Sequence, residues 1–214
     1  MEDTHLQPTP PKRRPGRPKS TGTPPTMGQI LRTASQLFME QGFEKVSLES
    51  VAQACGVTKA SVYYYFSNKA VLFTESLLFV LKIAHDQTAL IVNGSGTLKE
   101  RLLVVASRHM RNAHIDFETM MREAAPGLTE EQVTAIRDGE GALHRLLSAV
   151  FQQAMDKGEI EHANPILLSH VFTAMMTVRN RKEIVNDLQT VEQTASEIVQ
   201  LLWDGLALRR DLHS

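Results

Sequence analysis

The chain has one cysteine, few aromatic residues and no long apolar run, and each shortage excludes a class of protein. Cys55 alone forms no intrachain disulfide and supplies no multi-cysteine zinc site. Aromatics make up only 6% of 214 residues. The most apolar stretch, Leu77 to Leu81, stops at Lys82, far short of the ~18 apolar residues a membrane span needs. The N-terminus lacks an apolar stretch of signal-peptide type, so a cytoplasmic protein is expected. No Gly-rich phosphate loop and no nucleophile–base–orienter set stands out, so an enzyme is not expected, nor a cofactor or a metal. His85, His109, His114, His144, His162 and His170 are scattered. Glu140 and His144 stand at i, i+4 on one helix face, a spacing a metal can use, but they read as a solvated pair.

What is present is enough to build a core. Hydrophobic residues make up 42% and charged residues 22%, while 12 Gly and 9 Pro are too few for a collagen-like or fully disordered chain. The formal charge of −1 hides a division. Residues 1–70 carry nine Lys/Arg against five Asp/Glu, and residues 71–214 carry fourteen against nineteen. An anionic partner is therefore expected for the first third only. Seven of the nine prolines fall within residues 1–25, with Gly16, Gly22 and a cluster of cations, which predicts a disordered basic arm there.

From Thr26 the texture becomes helical. Thr26/Gln29, Thr97/Glu100, Thr129/Gln132 and Thr190/Gln193 match the capping box, in which two free amides at a helix start are satisfied reciprocally. Apolar spacing predicts helices near 27–41, 48–54, 58–64, 68–92, 97–118, 129–157, 165–182 and 190–209, with a further short one within 119–128. No strand pattern appears, so the fold class is all-α.

The densest signal runs from Leu48 to Phe66 and reads as two short helices about a tight turn. Ala52 is small enough for a close helix crossing, and Gly56 falls where the turn needs a left-handed backbone. Val51, Cys55, Val57, Val62 and Tyr65 have the spacing to share a core. Thr58 is placed to cap the second helix. Its exposed face then offers Lys59, Ser61 and Tyr64, donors and acceptors of a size suited to a major groove.

These residues resemble the DNA-binding domain of TetR-family transcriptional regulators. The likeness runs from Ile30-Leu31 through Phe38, Gly42-Phe43, Val46-Ser47-Leu48, Val51-Ala52, Gly56-Val57-Thr58, Val62-Tyr63 and Tyr65-Phe66 to Asn68-Lys69 and Leu72. Cys55 stands where alanine is usual, and Tyr65 where histidine is common. The resemblance implies an N-terminal three-helix helix-turn-helix domain and a helical C-terminal ligand-binding and dimerisation domain. Lys59 and Ser61 would read base edges. Ser47, Thr58, Tyr63 and Tyr64 would touch phosphate or base, and Lys69 would bind a phosphate at a helix start. The arm from Lys12 to Lys19 is similar to the Gly-Arg-Pro core of AT-hook peptides, so Arg14 and Arg17 either enter an A·T-rich minor groove or only add nonspecific attraction. The expected division is 1–25 arm, 26–70 DNA-binding domain and 71–214 effector-binding and dimerisation domain.

In the acidic remainder, Met110, Phe117, Met120, Met121, Phe151, Met155 and Phe172 suit either an adaptable apolar cavity or an ordinary core. The resemblance implies an effector pocket here. The final helix is apolar on more than one face near Leu201–Trp203, and a second apolar face calls for a partner. The resemblance implies a two-fold, four-helix dimer interface, to which Val171, Met175, Ile198, Val199 and Leu202 are assigned. The expected function is a ligand-responsive regulator, a repressor that binds a palindromic operator as a homodimer and answers to a mainly apolar effector. The alternatives are a DNA-binding regulator without an effector, or a small helical enzyme or lipid carrier, against which the basic third and the Ala–Gly helix pair argue.

Overall fold

The computed structural model describes residues 27–111, 117–181, 183–184 and 188–206. The helices are α1 (Met27–Gln41), α2 (Leu48–Cys55), α3 (Lys59–Tyr65), α4 (Lys69–Val92), α5 (Leu98–Met110), α6 (Phe117–Ala124), α7 (Glu130–Asp156), α8 (Pro165–Met176) and α9 (Leu188–Leu206). Single 3-10 turns follow α6 (Ala125–Gly127) and α8 (Thr177–Asn180). Among the described residues there is no strand.

Side-chain caps set most of the helix starts. Thr97/Glu100 and Thr129/Gln132 form the expected reciprocal boxes. Thr26 lies outside the described residues. Thr190 does not cap its helix, because α9 begins two residues earlier, at Leu188. A third box, Ser47/Ser50, escapes the sequence pattern because serine replaces Glu or Gln at its third position.

Two apolar cores organise the chain. The first gathers α1–α3 around Ile30, Phe38, Val51, Val62, Phe66 and Phe73, and it also takes Met120, Met121 and Ala124 of α6 and Ile136 of α7. The second holds Val92, Leu102, Met110, Leu147, Phe151, Met155, Phe172, Val191 and Val199. The helix expected over 97–118 is accordingly not one element. Met110 at the end of α5 belongs to the second core, and Phe117 at the start of α6 packs against the first.

Two long helices span both cores. α4, with 24 residues and a length of ~36 Å, buries Leu72, Phe73 and Leu77 in the first and Val92 in the second. α7 buries Ile136 in the first and Leu147 and Phe151 in the second. They lie close where Gly139 meets α4: a Cβ there would stand 3.2 Å from Leu81 Cδ1 and 3.4 Å from Leu78 Cδ2.

Where α7 meets α8, Glu140 and His144 are not the solvated pair expected. Both are half-buried. Arg137 bridges Glu140 (3.2 Å) to Glu118 of α6, whose second carboxylate oxygen it meets at 2.8 Å. His144 stacks on His170 with ring centroids 3.8 Å apart. Burial, and the neighbouring His170, hold His144 below its ordinary value of 6.5. The folded state therefore resists a proton that the unfolded chain accepts, so unfolding takes up a proton as pH falls below about 6.5. Thermal stability should drop between pH 7.5 and 5.5, and His144→Gln should reduce that drop. Equal drops in the two proteins, read by thermal unfolding at both pH values, would contradict this account.

Candidate nucleic-acid interface

The α2–α3 pair is built locally. Ser47 caps α2 by accepting from Ser50 N–H at 3.0 Å. Gly56 ends that helix at φ 68 and ψ 29, the left-handed region that glycine enters without steric cost. Its N–H bonds Gln53 O at 3.1 Å, and Val57 N–H bonds Ala52 O at 2.9 Å. Thr58 starts α3 by accepting from Ser61 N–H at 3.2 Å, and the two hydroxyls meet at 2.8 Å. Val51, Ala52 and Val62 are buried, and Cys55 and Val57 pack beside them. Tyr65 is not in this core as expected. α3 ends at Tyr65, and the extended backbone of Phe66 (φ −129) turns that ring inward instead. Tyr65 is 44% exposed.

The outer face of α3 carries the expected readers. Tyr64 is 82% exposed and stands edge-on to Tyr65, with centroids 5.0 Å apart. Thr58, Lys59 and Ser61 are exposed or half-exposed beside it. Lys59 pairs with Glu49 of α2, and the same carboxylate oxygen accepts from Tyr63 Oη at 3.2 Å. The Lys59 hydrogen bond holds Glu49 down at about 2 and pushes Lys59 upward. Glu49 is the residue that sequence reasoning missed. It is ten positions from Lys59 and on another helix, so no periodic pattern connects them.

Ser47 and Lys69 flank α3 at the starts of α2 and α4. Lys69 Nζ donates to Glu44 O at 3.0 Å and stands 4.4 Å from the centre of the Phe43 ring. Phe43 packs edge-on to Phe73 (5.0 Å), and its far side faces Gly127, where a Cβ would be 3.3 Å from the ring. Arg14 and Arg17 lie outside the described residues. Residues 27–70 carry four cations, Arg32, Lys45, Lys59 and Lys69, against Glu40, Glu44 and Glu49. Most of the basic excess therefore belongs to the arm.

Residues 30–75 match the model for bacterial regulatory proteins of the tetR family. Over that stretch the chain is similar to that family. A regulator named YdeS from Bacillus subtilis is 38% identical over 63 residues, 29% of this chain and 30% of the relative. The regulator TtgR from Pseudomonas putida is 36% identical over 64 residues, 30% of each chain. The chain thus spans about 30% of the length of these curated relatives. The fold likeness extends further. The crystal structure of FadR from Bacillus subtilis in complex with stearoyl-CoA superposes with a TM-score of 0.66 at 18% identity, over 83% of this chain and 97% of that one.

The seven side chains assigned to one effector pocket are divided between the two cores. Met110, Phe151, Met155 and Phe172 lie together in the second, with the Phe151 and Phe172 rings 6.4 Å apart. Met120 and Met121 are buried in the first, with Phe117 packed against it. The residues assigned to the dimer seam also divide. Ile198 and Val199 face inward and are buried in the chain's own second core, so they offer a partner almost no surface. Met175 and Leu202 are half-buried against that core. Val171 faces outward with Ile166 and Leu167 of α8, and Leu201 of α9 is 68% exposed. Among the described residues no helix is long and apolar enough to cross a membrane, and no three His, Cys, Asp or Glu side chains form a metal site.

Proposed function

We propose that this chain is a ligand-responsive transcriptional repressor that binds a palindromic operator as a homodimer in the cytoplasm. The observation that carries the reading is α3, a capped helix with one face locked in a core and Lys59, Ser61 and Tyr64 on the other. Such a helix enters a major groove, and two copies related by a two-fold axis meet half-sites about one turn apart. Residues 1–25 act as the basic arm, 26–70 as the reading head, and 71–214 as the sensing and dimerising part. The outward residues Ile166, Leu167, Val171 and Leu201 form the seam between copies.

The effector is a mainly apolar molecule admitted among Met110, Phe151, Met155 and Phe172, adaptable side chains that can part around it. The fold likeness to a regulator solved with stearoyl-CoA supports an apolar ligand of this kind. α4 then links that region to Lys69, and Met120 and Met121 of α6 form a second link into the reading head. A ligand acts only through its differential affinity for the two conformations, commonly about 1–3 kcal/mol of coupling, and the coupling is reciprocal.

The test is selection from a randomised duplex library, followed by operator titration with each apolar ligand that raises the melting temperature. We expect an inverted-repeat consensus and ligands that weaken operator binding. Met155→Trp, which fills the ligand region, should abolish the ligand effect more than it weakens DNA binding. A second reading rests on the near-complete burial of these four side chains: a regulator without an effector. Ligands that bind tightly and leave operator affinity unchanged would favour it.

A further inference from the structure

We propose that Glu49 is a specificity-determining residue: its carboxylate keeps Lys59 from indiscriminate phosphate contact and itself accepts a hydrogen bond from a cytosine amino group. This rests on the reading of α3 as the DNA-reading helix. A carboxylate is an unexpected group on a surface that meets a polyanion. It lies on α2, next to α3, and one of its oxygens takes both the Lys59 ammonium and the Tyr63 hydroxyl. All three side chains are substantially exposed, so the cluster is no buried strut of the fold. Exposed ion pairs contribute little to stability, which leaves the pair available for another role.

Two consequences follow from placing this cluster in a groove. On non-operator DNA, Lys59 is already neutralised by Glu49, and Glu49 repels the phosphates. Binding there is weakened, which is how a repulsive element creates discrimination. At the correct site the same two groups are complementary to one base pair. Lysine donates to guanine O6 or N7, and glutamate accepts from the cytosine 4-amino group. Lys59 can keep one hydrogen on Glu49 while it offers another to guanine, because an ammonium has three donors. The penalty on general DNA thus becomes an attraction at a C·G pair.

The test uses the full chain and two variants, Glu49→Gln and Glu49→Ala, with thermal unfolding as a check on the fold. Each protein is taken through selection from a randomised duplex library, and its affinity for a mixed-sequence duplex is titrated against salt. We expect a C·G preference in the wild-type half-site that moves toward A·T in Glu49→Gln, since an amide pairs bidentately with adenine, and disappears in Glu49→Ala. On mixed-sequence DNA both variants should bind several-fold more tightly. Their plots of log affinity against log salt should steepen by about 0.9, the increment of one added phosphate contact. A merely structural Glu49 would move neither the base preference nor the salt slope. Identical consensus sequences in all three proteins, or an unchanged salt slope, overturn the proposal. A wild type that retains no duplex overturns the reading of α3 itself, and this inference with it.

Discussion

Tyr64→Ala and Lys59→Ala will each weaken operator binding by about 1–3 kcal/mol, roughly 5- to 150-fold, and leave thermal unfolding unchanged. Tyr64 is 82% exposed, so its removal opens no cavity and strips no core contact. Lys59 is equally dispensable for folding, because its charged partner among the described residues is a surface carboxylate. Its removal has an extra cost on DNA. Glu49 would face the groove without its counter-ion, so Lys59→Ala should be the more damaging of the two. The double change Lys59→Ala with Glu49→Ala should recover part of that loss. Fluorescence anisotropy with a labelled operator measures both effects. Unchanged affinity in both single variants would mean that α3 is not the reading helix.

The second large effect separates core from seam in α9. Val199→Glu should cost several kcal/mol of stability, because a carboxylate would be buried without a partner at a site only 2% exposed. The expected outcome is a protein that unfolds at much lower temperature or fails to accumulate in soluble form. Leu201→Glu, two positions on and 68% exposed, should fold normally and sediment as a monomer, with weakened operator binding because one head alone meets one half-site. A folded, dimeric Val199→Glu protein would reverse the assignment of these two faces. A dimeric Leu201→Glu protein would remove Leu201 from the seam.

This contrast also marks where the sequence is legible. The α2–α3 pair can be read because its determinants are local: Ala52, Gly56 and Thr58 each act within one turn of the backbone they control. Even there, Tyr65 lies outside the core that its spacing predicts, since the extended backbone after it turns Phe66 inward instead. In the C-terminal part, periodicity shows that Ile198, Val199 and Leu202 lie on apolar faces, but it does not say whether an apolar face meets its own chain or a copy. For the same reason Met110 and Met121 look like neighbours in a methionine-rich region, although they belong to different cores. Glu49 is invisible for a third reason. Its partners come from a helix whose orientation only the folded turn at Gly56 defines.

The close approach of α7 to α4 at Gly139 has a mechanical consequence. The contact at Leu81 divides α4 into spans of about 18 Å toward Lys69 and about 17 Å toward Val92. A rod resting on a fulcrum near its midpoint is a balanced beam: it transmits a displacement at full size and in the opposite sense, neither magnified nor damped. Tilting α4 by an ångström at the Val92 end brings an ångström of movement to Lys69 and the base of α3. In the proposed dimer, two such beams related by a two-fold axis would tilt in opposite senses. The gap between the two reading heads would then change by twice the stroke of either beam, and the proposed palindromic site would sense that change as the spacing of two grooves.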